Sequence, residues 1–94
     1  MTVSTTDTTK PWFMYVLRCA DDTLYCGVTT DVQRRLHEHN NTARGAKYTL
    51  SRRPVHLMWT QQHGSRSEAQ SAEYKFKRLS RKEKLAFIER GGMD

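Results

Sequence analysis

The stretch WFMYVLRC, residues 12–19, restricts the fold of this chain more than any other feature. Every residue in it except Arg18 is apolar, aromatic or cysteine, although only 36% of the chain is hydrophobic. An apolar run of strand length without alternation indicates a strand that is covered on both faces. We therefore predict the central strand of a sheet, and a chain of 94 residues allows one compact domain around it.

The following segment, TLYCGV at residues 23–28, predicts a second strand that returns after an acidic turn and completes a hairpin. Because side chains alternate along a strand, Tyr15 and Tyr25 share a face only if paired positions sum to an even number. Such a register requires an odd-membered loop, such as residues 21–23, or a bulge. The register of this hairpin therefore decides whether the two tyrosines lie together.

Cys19 and Cys26 are too few for a disulfide framework, and the register that unites the tyrosines points the cysteines to opposite faces. The N-terminal MTVSTTDTTK is polar and lacks the apolar region of a secretory leader. No window approaches the roughly 20 apolar residues of a transmembrane helix. We predict reduced cysteines, a cytoplasmic location without membrane contact, a disordered lead-in over residues 1–10, one domain over residues 11–91 and a frayed end over residues 92–94.

Three sequence patterns with capping-box spacing predict three helices. They begin at Thr30-Asp31-Val32-Gln33, Ser67-Glu68-Ala69-Gln70 and Ser80-Arg81-Lys82-Glu83. Between the first two, VHLMWTQQ alternates apolar and polar residues as a half-buried strand does, whereas NNTARGAKYTLSRRP has the composition of a surface loop. The predicted order is β-β-α-β-α-α, an α+β fold with a small antiparallel sheet packed against helices.

Several residues are candidates for work on phosphate groups. Arg35 and His39 are four positions apart on the first predicted helix and project from one side of it. The formal charge of +6 favours an anionic partner, but does not distinguish nucleic acid from a membrane surface. The basic residues of the loop are further candidates for phosphate contact: Arg44, Lys47, Arg52 and Arg53.

Five motifs together resemble the GIY-YIG nuclease superfamily in order and spacing: Phe13-Met14-Tyr15, Tyr25-Cys26-Gly27, Arg35, His39 and Glu73. The stretch from YVLRC to LHEHN, followed by GAKYT, RRPV and AEYKFKRLSRKEKLAFI, resembles the small stand-alone bacterial branch of that superfamily. The resemblance covers nearly the whole predicted domain. It implies a three-stranded antiparallel sheet flanked by helices, and one catalytic divalent ion, Mg²⁺ or Mn²⁺.

The resemblance also implies a role for each site residue. Glu73 would bind the metal, and Tyr15 would act as the general base or position the attacking water. Tyr25 would hydrogen-bond that water or a phosphate oxygen. Arg35 would clamp the scissile phosphate, because a guanidinium is permanently charged and matches phosphate oxygens in a fork. His39 would contact the phosphate or assist proton transfer.

Residues outside the catalytic set are also implied to face nucleic acid. Gly27 would allow close approach of the backbone, and Lys47 and Tyr48 match a position that faces substrate in the family. The chain departs from the family pattern at Phe13, Met14 and Cys26, which are strand positions that tolerate apolar exchange. No asparagine follows Glu73, although the resemblance implies one in many larger relatives, so the supporting contact of that asparagine is not expected here.

Three functions remain open at this point. The first is a metal-dependent endonuclease or nuclease acting on DNA in repair or recombination, with single-stranded, flapped or damaged substrates. The second is a non-catalytic module that binds nucleic acid through the basic loop and the KFKRLSRKEK run. The third is a protein-interaction module that retains an ancestral site. Cleavage, salt-dependent binding and the effect of ligands on the melting temperature separate them.

Overall fold

In the computed structural model, which describes residues 10–92, three strands form one antiparallel sheet with helices on both faces. The elements in chain order are β1 (Trp12–Arg18), β2 (Leu24–Thr29), α1 (Val32–Asn41), α2 (Lys47–Leu50), β3 (His56–His63), α3 (Arg66–Lys77) and α4 (Arg81–Glu89). The predicted α+β class and the order β-β-α-β-α-α are confirmed, with the short α2 as an addition. Most of the predicted lead-in, residues 1–9, and residues 93–94 lie outside the described part.

The position of β1 explains its unbroken apolar sequence. The sheet order is β2-β1-β3, so β1 is the central strand, as predicted. Met14 and Val16 pack with Phe76 of α3 on one face, whereas Tyr15 and Leu17 belong to a second cluster on the other face. All four of these β1 residues are at most 2% exposed. Both faces of β1 are therefore buried, and each successive residue contributes to a different core.

The hairpin between β1 and β2 has the register that brings the tyrosines together. Tyr15 pairs with Gly27 and Leu17 pairs with Tyr25, so paired positions sum to an even number and both tyrosines lie on the same face. Cys19 and Cys26 consequently lie in different clusters, and both are free thiols. The predicted register is confirmed.

The turn that sets this register lies one residue earlier than the suggested loop. The Cys19 amide donates to the Thr23 carbonyl and the Asp22 amide donates to the Cys19 carbonyl, each over 2.8 Å. The loop is therefore residues 20–22, and Asp22 has a left-handed φ of 70°. A three-residue loop that ends in a left-handed residue is a common hairpin connection, and aspartate tolerates that conformation better than most residues.

The loop predicted over residues 40–54 contains one helical turn, α2, that the sequence analysis did not predict. The Ala46 carbonyl accepts from the amides of Thr49 and Leu50, at 3.0 and 3.2 Å. A single turn is too short to produce the periodicity by which longer helices are recognised. None of the helices in the described part is long and apolar enough to cross a membrane.

Gly27 leaves the space in which the Tyr15 ring lies. A Cβ atom on Gly27 would come within 2.6 Å of the Tyr15 Oη, closer than real contacts allow. We expect Gly27→Ala to lower the free energy of unfolding by about 1–3 kcal/mol, because the buried ring must move away from its hydrogen-bond partner. Urea denaturation measures this. Gly64→Ala is the matched control, since its Cβ would meet only the flexible Glu68 carboxylate, at 3.3 Å, and a larger loss in the control would contradict the explanation.

Candidate active site

Three aromatic side chains converge on the face of the sheet that α1 covers. The ring centroids of Tyr15 and Tyr25 are 6.4 Å apart. The His39 ring of α1 lies 5.8 Å from that of Tyr15 and 5.3 Å from that of Tyr25. The hairpin register supplies the tyrosines, and helical spacing places Arg35 on the same side of α1 as His39.

His39 lies at the centre of this cluster and is fully buried. Its Nε2 atom is 2.8 Å from the Tyr15 Oη, and its Nδ1 atom is 2.9 Å from the Thr49 Oγ1. Both ring nitrogens are thus engaged inside the protein. Thr49 is not among the site residues predicted from the sequence, although it follows Lys47 and Tyr48 in the GAKYT motif, which is the signal that points to it.

Burial controls the ionisation of this cluster. It raises the pKa of Tyr15, with the neighbouring Arg35 guanidinium opposing the effect, and it also raises the pKa of Tyr25. Burial, reinforced by the positive charge of Arg35, lowers the pKa of His39 to about 4. The two phenols and the imidazole are therefore neutral at pH 7 in the free protein.

The depressed pKa of His39 makes stability depend on pH. The imidazole of His39 has a pKa of 6.5 in the unfolded chain and of about 4 in the folded protein. The contribution of this group to the free energy of unfolding is therefore fully present above pH 6.5 and is lost as the pH falls towards 4. We expect this group to account for a loss of about 3 kcal/mol, measured by urea denaturation at several pH values. The difference in the free energy of unfolding between wild type and His39→Gln, followed against pH, separates the contribution of His39 from that of the other titrating groups. Parallel pH profiles of the two proteins would refute the assignment.

Arg35 is held in place by two acceptors beside the cluster. Its Nη1 donates to the Glu38 carboxylate over 2.9 Å and to the Arg44 carbonyl over 2.8 Å. The positive charge of Arg35 also acts on Tyr15, because it opposes the rise in the pKa of Tyr15 that burial causes. The Arg35 side chain is 27% exposed, so its fixed positive charge is accessible to solvent.

Glu73 approaches the cluster from another direction. It lies on α3, which packs on the Met14 face of the sheet, against β1 and β2. Burial raises the pKa values of Tyr25 and Cys26 on the edge strand β2, and the negative charge of Glu73 adds to both shifts. Its carboxylate forms an ion pair with Lys77 at 2.7 Å and is 20% exposed. The structure thus unites Tyr15, Tyr25, Arg35 and His39 directly and places Glu73 within electrostatic reach of Tyr25.

The carboxylate of Glu73 fits a magnesium-type ion and does not fit a zinc-type site. The described residues contain no group of three or more histidine, cysteine, aspartate and glutamate side chains that could hold a metal. Zinc sites need three or four such ligands. Mg²⁺ is commonly held by one or two carboxylates together with water and substrate phosphates. One partly buried carboxylate within electrostatic reach of Tyr25 meets that smaller requirement.

An exposed aromatic surface adjoins the cluster. Tyr48 of α2 stacks on Tyr25 with centroids 5.9 Å apart and an interplanar angle of 26°, and it is 38% exposed. The Arg52 guanidinium lies 3.9 Å from the centre of the Tyr48 ring, while its Nε donates to Asp21 over 3.0 Å. Arg52 therefore joins α2 to the β1–β2 turn as well as carrying charge.

The remaining residues predicted to contact nucleic acid differ in their surroundings. Arg53 Nε donates to the His39 carbonyl over 2.6 Å, and its Nη2 donates to the Glu38 and Thr42 carbonyls, so Arg53 caps the end of α1. Gly27 is buried beneath the Tyr15 ring. Arg44 and Lys47 are exposed. Arg53 and Gly27 thus have structural contacts that were not predicted from the sequence. Contact with nucleic acid stays a prediction for Arg53, Gly27, Arg44 and Lys47.

Residues 11–86 match the family model of the GIY-YIG catalytic domain. The chain therefore belongs to the GIY-YIG family, a nuclease family, and the predicted resemblance is confirmed. Its relatives include the UPF0213 protein SAG0778 of Streptococcus agalactiae, 53% identical over 78 residues, which are 83% of this chain and 88% of that protein. The UPF0213 protein DP2720 of Desulfotalea psychrophila is 48% identical over 83 residues, 87% of this chain and 76% of that protein.

A solved structure supports the same placement. The solution structure of protein EF2693 from E. faecalis is 46% identical, has a TM-score of 0.61, and is matched over 85% of this chain and 84% of its own. The relatives confirm the predicted small branch of the family. Their names state no activity.

Proposed function

We propose that this protein is a divalent-metal-dependent nuclease that hydrolyses phosphodiester bonds of DNA. The supporting observation is the convergence of Tyr15, Tyr25, Arg35 and His39, with the Glu73 carboxylate beside the adjoining edge strand. This set combines hydroxyl groups, a proton acceptor, a permanent positive charge and a carboxylate. Those are the groups that hydrolysis of a phosphodiester requires.

Tyr15 is proposed to hold the attacking water and His39 to hold the hydroxyl proton of Tyr15. Both groups are neutral in the free protein, so Tyr15 does not begin as a phenolate. When an anionic phosphate binds nearby, it raises the proton affinity of His39, and proton transfer from Tyr15 becomes easier. Tyr15 can then accept a proton from the water as it releases its own to the His39 Nε2, 2.8 Å away.

Arg35 and Glu73 are proposed to act on the charge of the substrate. The guanidinium of Arg35, oriented by Glu38 and the Arg44 carbonyl, donates hydrogen bonds to oxygens of the scissile phosphate. Glu73 would hold Mg²⁺ or Mn²⁺, which supplies positive charge to the phosphate and acidifies bound water. Binding of such an ion would require the Glu73 carboxylate to give up its ion pair with Lys77.

DNA with unpaired bases is the proposed substrate. The exposed ring of Tyr48, stacked on Tyr25, offers a surface on which a base can stack, and stacking requires a base that is not enclosed in a duplex. Arg44 and Lys47 on the same loop supply charge for the adjacent phosphates. The proposed location is the cytoplasm, in keeping with the two free thiols.

A non-catalytic nucleic-acid-binding module is the second candidate. The ion pair between Lys77 and Glu73 favours it, because the carboxylate already has a cationic partner. The basic residues along the loop and α3 would then bind phosphates without turnover.

The test is incubation of pure protein with end-labelled single-stranded, flapped and duplex DNA of one sequence, and with the matching RNA. Each substrate is used with Mn²⁺, with Mg²⁺ and with EDTA. We expect cleavage that requires the metal and is faster on the single-stranded and flapped DNA. Salt-dependent binding of every substrate without cleavage of any would instead support the non-catalytic module. Faster cleavage of the duplex would contradict the role of Tyr48.

A further inference from the structure

A buried chain of short hydrogen bonds continues from Tyr15 through His39 to α2. The Tyr15 Oη lies 2.8 Å from Nε2 of His39, Nδ1 lies 2.9 Å from the Thr49 Oγ1, and that hydroxyl donates to the Ala46 carbonyl over 2.9 Å. A fourth, longer contact of 3.3 Å joins the Ala46 amide to Nδ1. His39 and Thr49 are both completely buried, so water does not compete for these groups.

The number of available hydrogens decides which nitrogen of the neutral imidazole carries the proton. With the proton on Nδ1, His39 donates to Thr49, Thr49 donates to Ala46 and Tyr15 donates to Nε2, so all three short bonds form. With the proton on Nε2, this nitrogen would donate to the Tyr15 Oη, and the buried hydroxyl hydrogen of Tyr15 would have no acceptor among the hydrogen bonds of the described residues. The Ala46 carbonyl does not discriminate between the two forms, because it already accepts from the amides of Thr49 and Leu50. The gain would be the 3.3 Å contact from the Ala46 amide to Nδ1, which is longer than the 2.8 Å bond between Tyr15 and Nε2. The geometry therefore favours the Nδ1–H form.

We propose that Thr49 is a positioning residue that fixes His39 as the Nδ1–H tautomer and keeps Nε2 as the acceptor for the Tyr15 proton. The catalytic consequence rests on the proposed nuclease function, whereas the tautomer does not. As the water oxygen bonds to phosphorus and the P–O bond to the leaving oxygen breaks, the proton of the water passes to the Tyr15 Oη. The hydroxyl proton of Tyr15 passes to Nε2, and the leaving oxygen takes a proton from water. His39 later returns its proton by the same path, through the Tyr15 hydroxyl. Thr49 holds the Nδ1–H throughout, as the orienting group of a hydrolase triad does.

The tautomer is measured directly by the ¹⁵N resonances of the ring in labelled protein at neutral pH. His39→Gln assigns the His39 signals among the four histidines. We expect a proton on Nδ1 in wild type and in Thr49→Ser. In Thr49→Val only the Ala46 amide faces Nδ1, and a donor there favours an unprotonated nitrogen, so the proton should move to Nε2. A proton on Nε2 in wild type, or no change in Thr49→Val, would overturn the proposal.

Kinetic measurements separate the effect of the Thr49 hydroxyl group from the effect of side-chain packing. Valine retains the shape of threonine without the hydroxyl group, and serine retains the hydroxyl group. We expect kcat for DNA cleavage to fall at least about tenfold in Thr49→Val, with KM unchanged, and to stay within about threefold of wild type in Thr49→Ser. Equal loss in both variants, or greater loss in the serine variant, indicates a packing role and overturns the proposal. If Thr49→Val does not fold, Thr49→Ala removes the same hydroxyl group and should switch the tautomer in the same way.

The tautomer measurement tests the role of Thr49, and the cleavage assay tests the proposed nuclease, so one proposal can be refuted without the other. A wild-type protein with the proton on Nδ1 that cleaves no nucleic acid retains the inference about Thr49 and His39 and refutes the proposed nuclease. An active wild-type protein with the proton on Nε2 retains the nuclease and refutes the role of Thr49.

Discussion

Glu73→Gln is expected to lower kcat for DNA cleavage by about a thousandfold or more, because a divalent ion contributes several kcal/mol to charge stabilisation. Glutamine retains the shape of the side chain and removes the charge that would hold the ion. Without that charge, Lys77 loses its partner at 2.7 Å, and affinity for the DNA backbone should be unchanged or higher. Single-turnover cleavage and salt-dependent DNA binding measure the two effects.

Glu68→Gln is the matched control for this substitution. Glu68 lies on the same helix and is exposed, and its Oε1 accepts from the Gly64 amide over 3.0 Å, which a glutamine carbonyl can also do. Its cleavage rate should stay within about twofold of wild type. Titration with Mn²⁺ provides a readout without turnover, since Glu73→Gln should lose binding that Glu68→Gln retains. Equal cleavage by wild type and Glu73→Gln would remove the metal-dependent nuclease from consideration.

The parts of the site that could be predicted from the sequence are those set by local periodicity. Alternation along β1 and β2 leaves two possible faces for Tyr25, and the parity of the loop selects one of them. Helical spacing likewise places Arg35 and His39 on one side of α1. These relations hold within one hairpin or one helix, so no knowledge of tertiary packing is needed.

Partners that are distant along the chain could not be predicted in this way. Arg53 has the appearance of a surface cation, but its guanidinium binds three carbonyls at the end of α1. In the sequence, Thr49 is one polar residue of a loop-like segment. In the structure, the helical turn α2 buries it against His39. The sequence contains no local signal for either contact, because both depend on the path that the chain takes between α1 and β3.

The start of α3 shows a different limit. The predicted cap was Ser67, with Gln70 three positions later, but Ser65 with Glu68 has the same spacing. In the structure Ser65 is the N-cap and accepts from the Glu68 amide over 3.1 Å. The predicted N-cap is therefore wrong by two residues. Two equivalent local patterns overlap, and the bond from the Gly64 amide to Glu68 favours the earlier one.

Tyr15→Phe is expected to reduce kcat by about a hundredfold to ten-thousandfold, which is the usual contribution of a positioned acid–base group. The hydroxyl group is lost, and with it both the water contact and the 2.8 Å bond to the His39 Nε2. Because that nitrogen remains buried without a partner, the free energy of unfolding should also fall by about 1–3 kcal/mol. Cleavage assays and urea denaturation measure the two quantities separately.

The comparison with Glu73→Gln distinguishes chemistry from metal binding. Tyr15→Phe leaves the Glu73 carboxylate and the exposed ring of Tyr48 in place, so Mn²⁺ binding and DNA affinity should match wild type while turnover is lost. Tyr74→Phe is the control, since Tyr74 is 62% exposed and its hydroxyl accepts only from Arg78 in the described part of the chain. If Tyr15→Phe retained turnover within about fivefold of wild type, the proton path from water through Tyr15 to His39 would not carry the reaction. Arg35 and the metal would then have to activate the water without the phenol.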